Sequence, residues 1–181
     1  MKRLALILAL AGTPALATDL ELDVAGEANG TIRIHLLDDV APQHVARIVE
    51  LAKSDAYDNV VFHRVIEGFM AQTGDVQYGK MGSDLSMAGM GGSDLPDLPA
   101  EFSDRPFTRG VVGMARSSDP NSANSQFFIM FADAPHLNGQ YTVVGEVTEG
   151  LDILDAIKKG TGPNGEVEGE PDHIADVRVI E

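Results

Sequence analysis

The chain has 181 residues, 44% of them hydrophobic, which is enough apolar matter for one well-buried core and too little length for two ordinary domains. Lys and Arg number 13 against 28 Asp and Glu, a net charge of -15, and past the first residues the longest basic run is Lys158-Lys159. A phosphate-neutralising surface is therefore excluded and nucleic acid is not expected as a partner. The absence of cysteine removes disulfides, thiol catalysis and thiolate metal sites together.

Lys2 and Arg3 lead into the apolar run Leu4 to Leu10, and Ala15-Leu16-Ala17 fits a small-x-small cleavage site. Residues 1–17 are thus expected to be an export leader, cut after Ala17, with one domain over residues 18–181 and no membrane attachment once the leader is gone. A spanning anchor would need roughly 20 apolar residues, and Pro14 interrupts this run at its end. Loss of Lys2 and Arg3 leaves the acidic excess larger still, a self-repelling surface.

Leu20, Leu22 and Val24 alternate, a turn follows at Gly26 to Gly30, and Thr31 to Leu36 alternates again, which predicts a hairpin. Pro42 stands where a first helical turn tolerates it, and Val45, Ile48, Val49 and Ala52 recur at helical spacing with Arg47 and Glu50 off the stripe, which predicts an amphipathic helix. Strands are predicted over 60–65, 69–73, 111–116, 127–131, 141–147 and 175–180, and a short helix over 151–159 closed by Gly160. Many short strands with two helices imply a sandwich or a closed barrel, since strand edges need cover.

Between Val76 and Gly110 runs a stretch rich in Gly, Asp, Met and Pro with no steady period, of the length that functional loops have. Gly89, Gly91 and Gly92 lack the strand-loop-helix setting of a phosphate cradle. Met81, Met87 and Met90 have the softness for copper, but flexible filler is the simpler reading. The five histidines show no metal-ligand spacing and no GxSxG elbow is present, so neither a zinc enzyme nor a serine hydrolase is expected.

Strand geometry sends Gln126 and Phe128 to one face and Phe127 and Ile129 to the other. Met70 and Gln72 likewise share a face, and the short link at Gly68 brings Arg64 near them. Adjoined, these faces make an apolar patch rimmed by Arg64, Gln72 and Gln126, the usual makeup of a ligand site. Taken alone the pattern fits a buried core better than a ligand site, because buried Phe and Met are commonplace.

Two blocks bear on that choice. FHRVIEGFMAQTGD, residues 62–75, resembles the cyclophilin signature over its whole length, and GVVGMARSSDPNSANSQFFIM, residues 110–130, is similar to that family's second block with its SQFFI core. The resemblance spans about Leu20 to Ile180. It implies a mainly β fold, a closed eight-stranded antiparallel barrel with two capping α-helices, and peptidyl-prolyl cis-trans isomerase activity without cofactor or metal. It further implies that Arg64, Gln72 and Phe128 act in catalysis, and that Phe69, Met70, Ala115, Gln126 and Leu137 line the groove. The backbone around Arg116 would pair with the substrate chain, the family having Asn more often at that place.

The implied chemistry needs no nucleophile or proton relay, because the X-Pro amide rotates over a barrier of about 18–20 kcal/mol set by resonance. The implied donor to the twisted prolyl nitrogen is Arg64. Two departures stand at the rim: His136 where many members carry Trp, and Tyr141 where many carry His. The Trp donates to cyclosporin in the family, so weak drug binding is expected here. Expected partners are proline-containing segments of unfolded or exported proteins, the expected compartment is the periplasm, and a monomer is expected. A proline groove that binds without turnover is the alternative; the guanidinium of Arg64 argues against it.

Overall fold

The computed structural model describes residues 18–181; the expected leader over residues 1–17 lies outside the described residues. The first hairpin forms as its alternation requires. Strand β1 (Asp19–Ala25) and strand β2 (Gly30–Leu36) pair antiparallel with Leu20 opposite Ile34 and Leu22 opposite Ile32, all four buried. Helix α1 (Pro42–Lys53) then lays Val45, Ile48, Leu51 and Ala52 onto the core and packs against the last strand.

Arg47 was expected on the solvent side, but it is 7% exposed and donates to the carbonyls of Pro96 and Asn124. Its stem lies along the apolar face while its head ties down the long loop. Glu101 provides a second tie. Ala41 offers α1 no capping side chain, and the Glu101 carboxylate accepts from the N–H groups of Gln43 and His44 and meets His44 Nδ1 at 2.6 Å.

Strands β3 (Val60–Val61), β4 (Arg64–Ile66), β5 (Met70–Thr73), β6 (Val111–Met114), β7 (Phe127–Met130), β8 (Val143–Glu149) and β9 (His173–Ile180) join β1 and β2 in one antiparallel sheet. Its order is β3-β9-β1-β2-β8-β6-β7-β5-β4. Nine strands replace the expected eight because the segment predicted as one strand over 60–65 is divided. Val60 and Val61 pair with β9 at one edge of the sheet, while Arg64 to Ile66 pair with β5 at the other. At the break Phe62 N donates to Asp172 O and His63 O accepts from Val167 N, so the 165–172 loop satisfies the backbone that strands would otherwise pair.

Helix α2 (Leu151–Ala156) is shorter than predicted. Ile157 turns extended and buries its side chain, and Lys158 N donates to the buried Asp172 carboxylate, an acceptor that the next helical turn could not reach. The long 76–110 segment is irregular apart from a 3-10 turn at Leu85–Met87; a second such turn lies at Pro135–Leu137. No helix among the described residues is long and apolar enough to cross a membrane.

The two faces of the sheet carry separate apolar clusters. Leu22, Ile34, Val65, Ala71, Val112, Phe127 and Ile129 belong to the larger, which the helices also join. Met70, Phe107, Val111, Phe128, Met130, Leu137 and Val143 form the smaller, on the opposite face of β5, β6 and β7.

Candidate functional site

The site stands on that second face, and strand register assembles it. Arg64 on β4 lies opposite Gln72 on β5, Gln72 opposite Phe128 on β7, and Phe128 opposite Gly113 on β6. Residues directly opposite point to the same face, so four separated positions become one lateral row. Gly68, at φ +69, makes the turn that sets β4 against β5.

A cavity of about 200 Å³ opens above this row, lined by Arg64, Phe69, Met70, Gln72, Ala115, Arg116, Phe128, Leu137 and Tyr141. Nine of the eleven residues singled out from the sequence thus meet in one place. Gln126 lines a larger neighbouring cavity of about 500 Å³ that shares Gln72, Ala115 and Arg116 with the first. His136 lies outside both, exposed and stacked on the Phe69 ring at 5.8 Å.

The pocket walls are braced from behind. Phe128 stacks on Phe107 at 5.7 Å and meets Tyr141 edge-on, and the Arg116 guanidinium sits 4.4 Å from the Tyr141 ring centroid. Arg116 also donates to the carbonyls of Gln140 and Ser117. The backbone N–H and C=O of Arg116 take no protein partner among the described residues, whereas Ala115 N is already committed to Gln126 O.

Hydrogen bonds fix the polar side with a definite direction. Gln126 Nε2 donates to the carbonyls of Gly89 and Gly91 at 2.9 and 2.8 Å, and carbonyls can only accept. Gln126 must therefore turn its Oε1 toward Gln72, whose Nε2 donates to it at 2.9 Å. That leaves Gln72 Oε1 facing Arg64, and Arg64 Nη1 donates to it at 3.3 Å, while Arg64 Nε donates to Asn164 O at 2.9 Å. Asp75 anchors the far end: fully buried, its two oxygens accept from the N–H groups of Gln77, Tyr78, Gly89 and Gly91.

Several of these residues carry no signal in the sequence. Phe107 sits in the irregular stretch with no period to mark it, Asn164 is 100 residues from Arg64, and the carbonyls of Gly89 and Gly91 are backbone groups. Gly113 is legible only as a glycine in a strand; a Cβ there would stand 2.6 Å from both Phe107 and Phe128. His63, next to Arg64 in the quoted block, has both ring nitrogens buried without a partner, and burial pushes its pKa from 6.5 down to about 4 against the pull of the nearby Asp75 carboxylate.

Known proteins match the chain over most of its length. Residues 20–179 match the sequence model of the family described as Cyclophilin type peptidyl-prolyl cis-trans isomerase/CLD. A probable peptidyl-prolyl cis-trans isomerase of Brucella suis is 60% identical over 149 residues, covering 81% of this chain and 76% of that one. Among solved structures, a cyclophilin from Hirschia baltica superposes with a TM-score of 0.71 at 26% identity, over 88% of this chain and 73% of that one. A cyclophilin type isomerase of Cryptosporidium parvum, solved in the presence of the dipeptide Ala-Pro, shares the fold at a TM-score of 0.75 and 24% identity, over 90% of this chain and 99% of that one. A match that runs through both blocks and almost every strand places the chain in the cyclophilin-type peptidyl-prolyl cis-trans isomerases.

Proposed function

We propose that this isomerase turns X-Pro bonds in segments of exported proteins, with the proline ring held against Phe69, Met70, Phe128 and Leu137 and the Arg64 guanidinium directed at the prolyl nitrogen. Twisting the amide destroys its resonance and returns a lone pair to that nitrogen. A fixed donor there binds the twisted state better than either planar isomer, and only such differential binding accelerates rotation. The observation that carries the reading is the one-way hydrogen-bond chain from Gly89 and Gly91 through Gln126 and Gln72 to Arg64, which holds the guanidinium over an apolar floor.

A charged hydrogen bond is worth roughly 1.5–3 kcal/mol, or about one to two powers of ten in rate. The remainder falls to the pocket, which positions the ring, and to the free backbone of Arg116, which is suited to pair with the substrate chain. We further infer that the sheet works as a closed eight-stranded barrel. Strands β3 and β4 occupy its two edges yet are separated by only Phe62 and His63, so a single bent strand would belong to both.

The periplasm, cleavage after Ala17 and a monomeric state complete the reading; Lys2, Arg3 and the apolar run that follows support export. Mass spectrometry of exported protein should find Thr18 at the N-terminus, and a product that keeps Met1 contradicts the cleavage. Weak cyclosporin binding is also expected, since the exposed imidazole of His136 replaces the indole donor.

The decisive measurement is isomerisation of short X-Pro peptides by wild type, Arg64→Ala and Phe128→Ala. Arg64→Ala should lose about 10- to 100-fold in kcat/KM while keeping its circular dichroism. Equal rates for Arg64→Ala and wild type would remove Arg64 from the mechanism, and no acceleration by wild type would overturn the isomerase reading.

A further inference from the structure

Arg64 leans on one peptide group of the loop between α2 and β9. Its Nε donates to Asn164 O at 2.9 Å, and the residue that follows is Gly165. Asn-Gly is the pair at which a side-chain amide is lost most readily, because glycine has no side chain to hinder attack by its own nitrogen. The chain has two other such pairs, Asn29-Gly30 and Asn138-Gly139, and both are restrained. Gly30 belongs to β2, opposite Val24, and Asn138 Oδ1 accepts from Phe107 N.

Asn164 is exposed and differently held. Its main-chain and side-chain N–H groups both turn onto the Glu166 carboxylate, and its side-chain carbonyl takes no protein partner among the described residues, so that carbon is open to attack. Asn164 O shares a peptide group with Gly165 N, and a cationic donor on that oxygen makes the nitrogen easier to deprotonate. Gly165 N donates to Gly162 O at 3.0 Å, a bond that ring closure gives up, which makes the conversion slow.

We propose that Asn164-Gly165 is a deamidation site whose isoaspartyl product captures Arg64 and turns the isomerase down. The inference rests on the reading of Arg64 as the donor to the prolyl nitrogen. Gly165 N gives up its proton and attacks Asn164 Cγ, the Cγ–Nδ2 bond breaks, and the amide nitrogen takes that proton and leaves as ammonia. Water then opens the cyclic imide. Addition at Cγ leaves an aspartate in an unaltered main chain, whereas addition at the former main-chain carbonyl breaks its bond to Gly165 N and routes the chain through the side chain. In that isoaspartyl product the carbonyl to which Arg64 Nε donates has become a free carboxylate. A carboxylate can grip the guanidinium with two oxygens, which draws it from Gln72 Oε1, now 3.3 Å away, and neutralises the charge aimed at the substrate.

The test ages folded protein in mildly alkaline buffer, maps the converted asparagines by peptide mass spectrometry, and tells isoaspartate from aspartate by enzymatic isoaspartyl methylation. It follows kcat/KM on a short X-Pro peptide, each variant compared with its own fresh sample. The isoaspartyl fraction of wild type should keep about a tenth of the fresh kcat/KM. Aged Asn164→Gln, which keeps the main-chain carbonyl but closes the ring far more slowly, should hold its starting rate. Enzymatic repair of isoaspartate to aspartate should bring aged wild type up to the rate of fresh Asn164→Asp, and the Arg64 Nε–H NMR signal should shift on ageing and return on repair. The proposal fails if Asn164 converts no faster than Asn29 and Asn138, if isoaspartate at 164 leaves the rate and the Arg64 signal unchanged, or if aged Asn164→Gln declines as wild type does. If fresh wild type accelerates no peptide, or Arg64→Ala matches it, the reading of the pocket fails instead, and the Arg64 NMR signal still decides whether the isoaspartate captures the guanidinium.

Discussion

One hydrogen atom at position 113 keeps the floor of the smaller cavity in place. A methyl group there would press within 2.6 Å of both Phe107 and Phe128, two rings that stack on each other, and of the two only Phe128 borders open space, the cavity above it. Gly113→Ala should therefore tilt Phe128, lowering kcat/KM by about tenfold and costing about 1–3 kcal/mol of stability. A normal rate with unchanged Phe128 chemical shifts would show that the floor yields. His63 makes a different prediction at the same scale. Its folded pKa of about 4 lies below the 6.5 of an unfolded chain, so above pH 6.5 the ring is neutral in both states and adds no slope. As pH falls from 6.5 toward 4 the unfolded chain takes a proton that the folded one refuses, and stability drops by about 3 kcal/mol before levelling off. Urea unfolding at pH 7 and pH 4.5 should show this fall in wild type and a smaller one in His63→Gln.

Among the elements, α1 depends on a residue from outside itself. Glu101 caps its first turn from 57 residues away and pairs with a fully buried His44. Glu101→Ala should cost about 2 kcal/mol, seen as a lower urea midpoint with an unchanged slope. The hairpin, α1 and the strands over 111–114 and 127–130 were legible from periodicity, because each buries one face and exposes or reassigns the other. Periodicity did not show the burial of Arg47, the early end of α2 at Ala156 or the division of 60–66 into two strands. In each case a distant acceptor decides: the carbonyls of Pro96 and Asn124 for Arg47, the Asp172 carboxylate for Lys158 and the Asp172 carbonyl for Phe62.

For the molecule as a whole, a net charge of -15 sets long-range repulsion against local ion pairs. The largest local group meets at Glu21, which pairs with both Arg33 and Arg178; Arg33 also pairs with Asp19 and Glu149, and Arg178 with Asp23 and Asp176, on the strand surface, where water and salt weaken ion pairs. Repulsion should win, so raising salt from low to physiological strength should raise Tm by a few degrees. A fall in Tm would mean that the surface pairs dominate. The sequence alone determined the family, most of the strands and which residue types share the face that carries the cavity, because side-chain alternation is a local property of extended backbone. Only the tertiary structure decided how those faces work together. Period assigns a residue to a face but not to a neighbour, and the chain from Asp75 through Gly89, Gly91, Gln126 and Gln72 to Arg64 exists only once register has brought β4, β5 and β7 side by side.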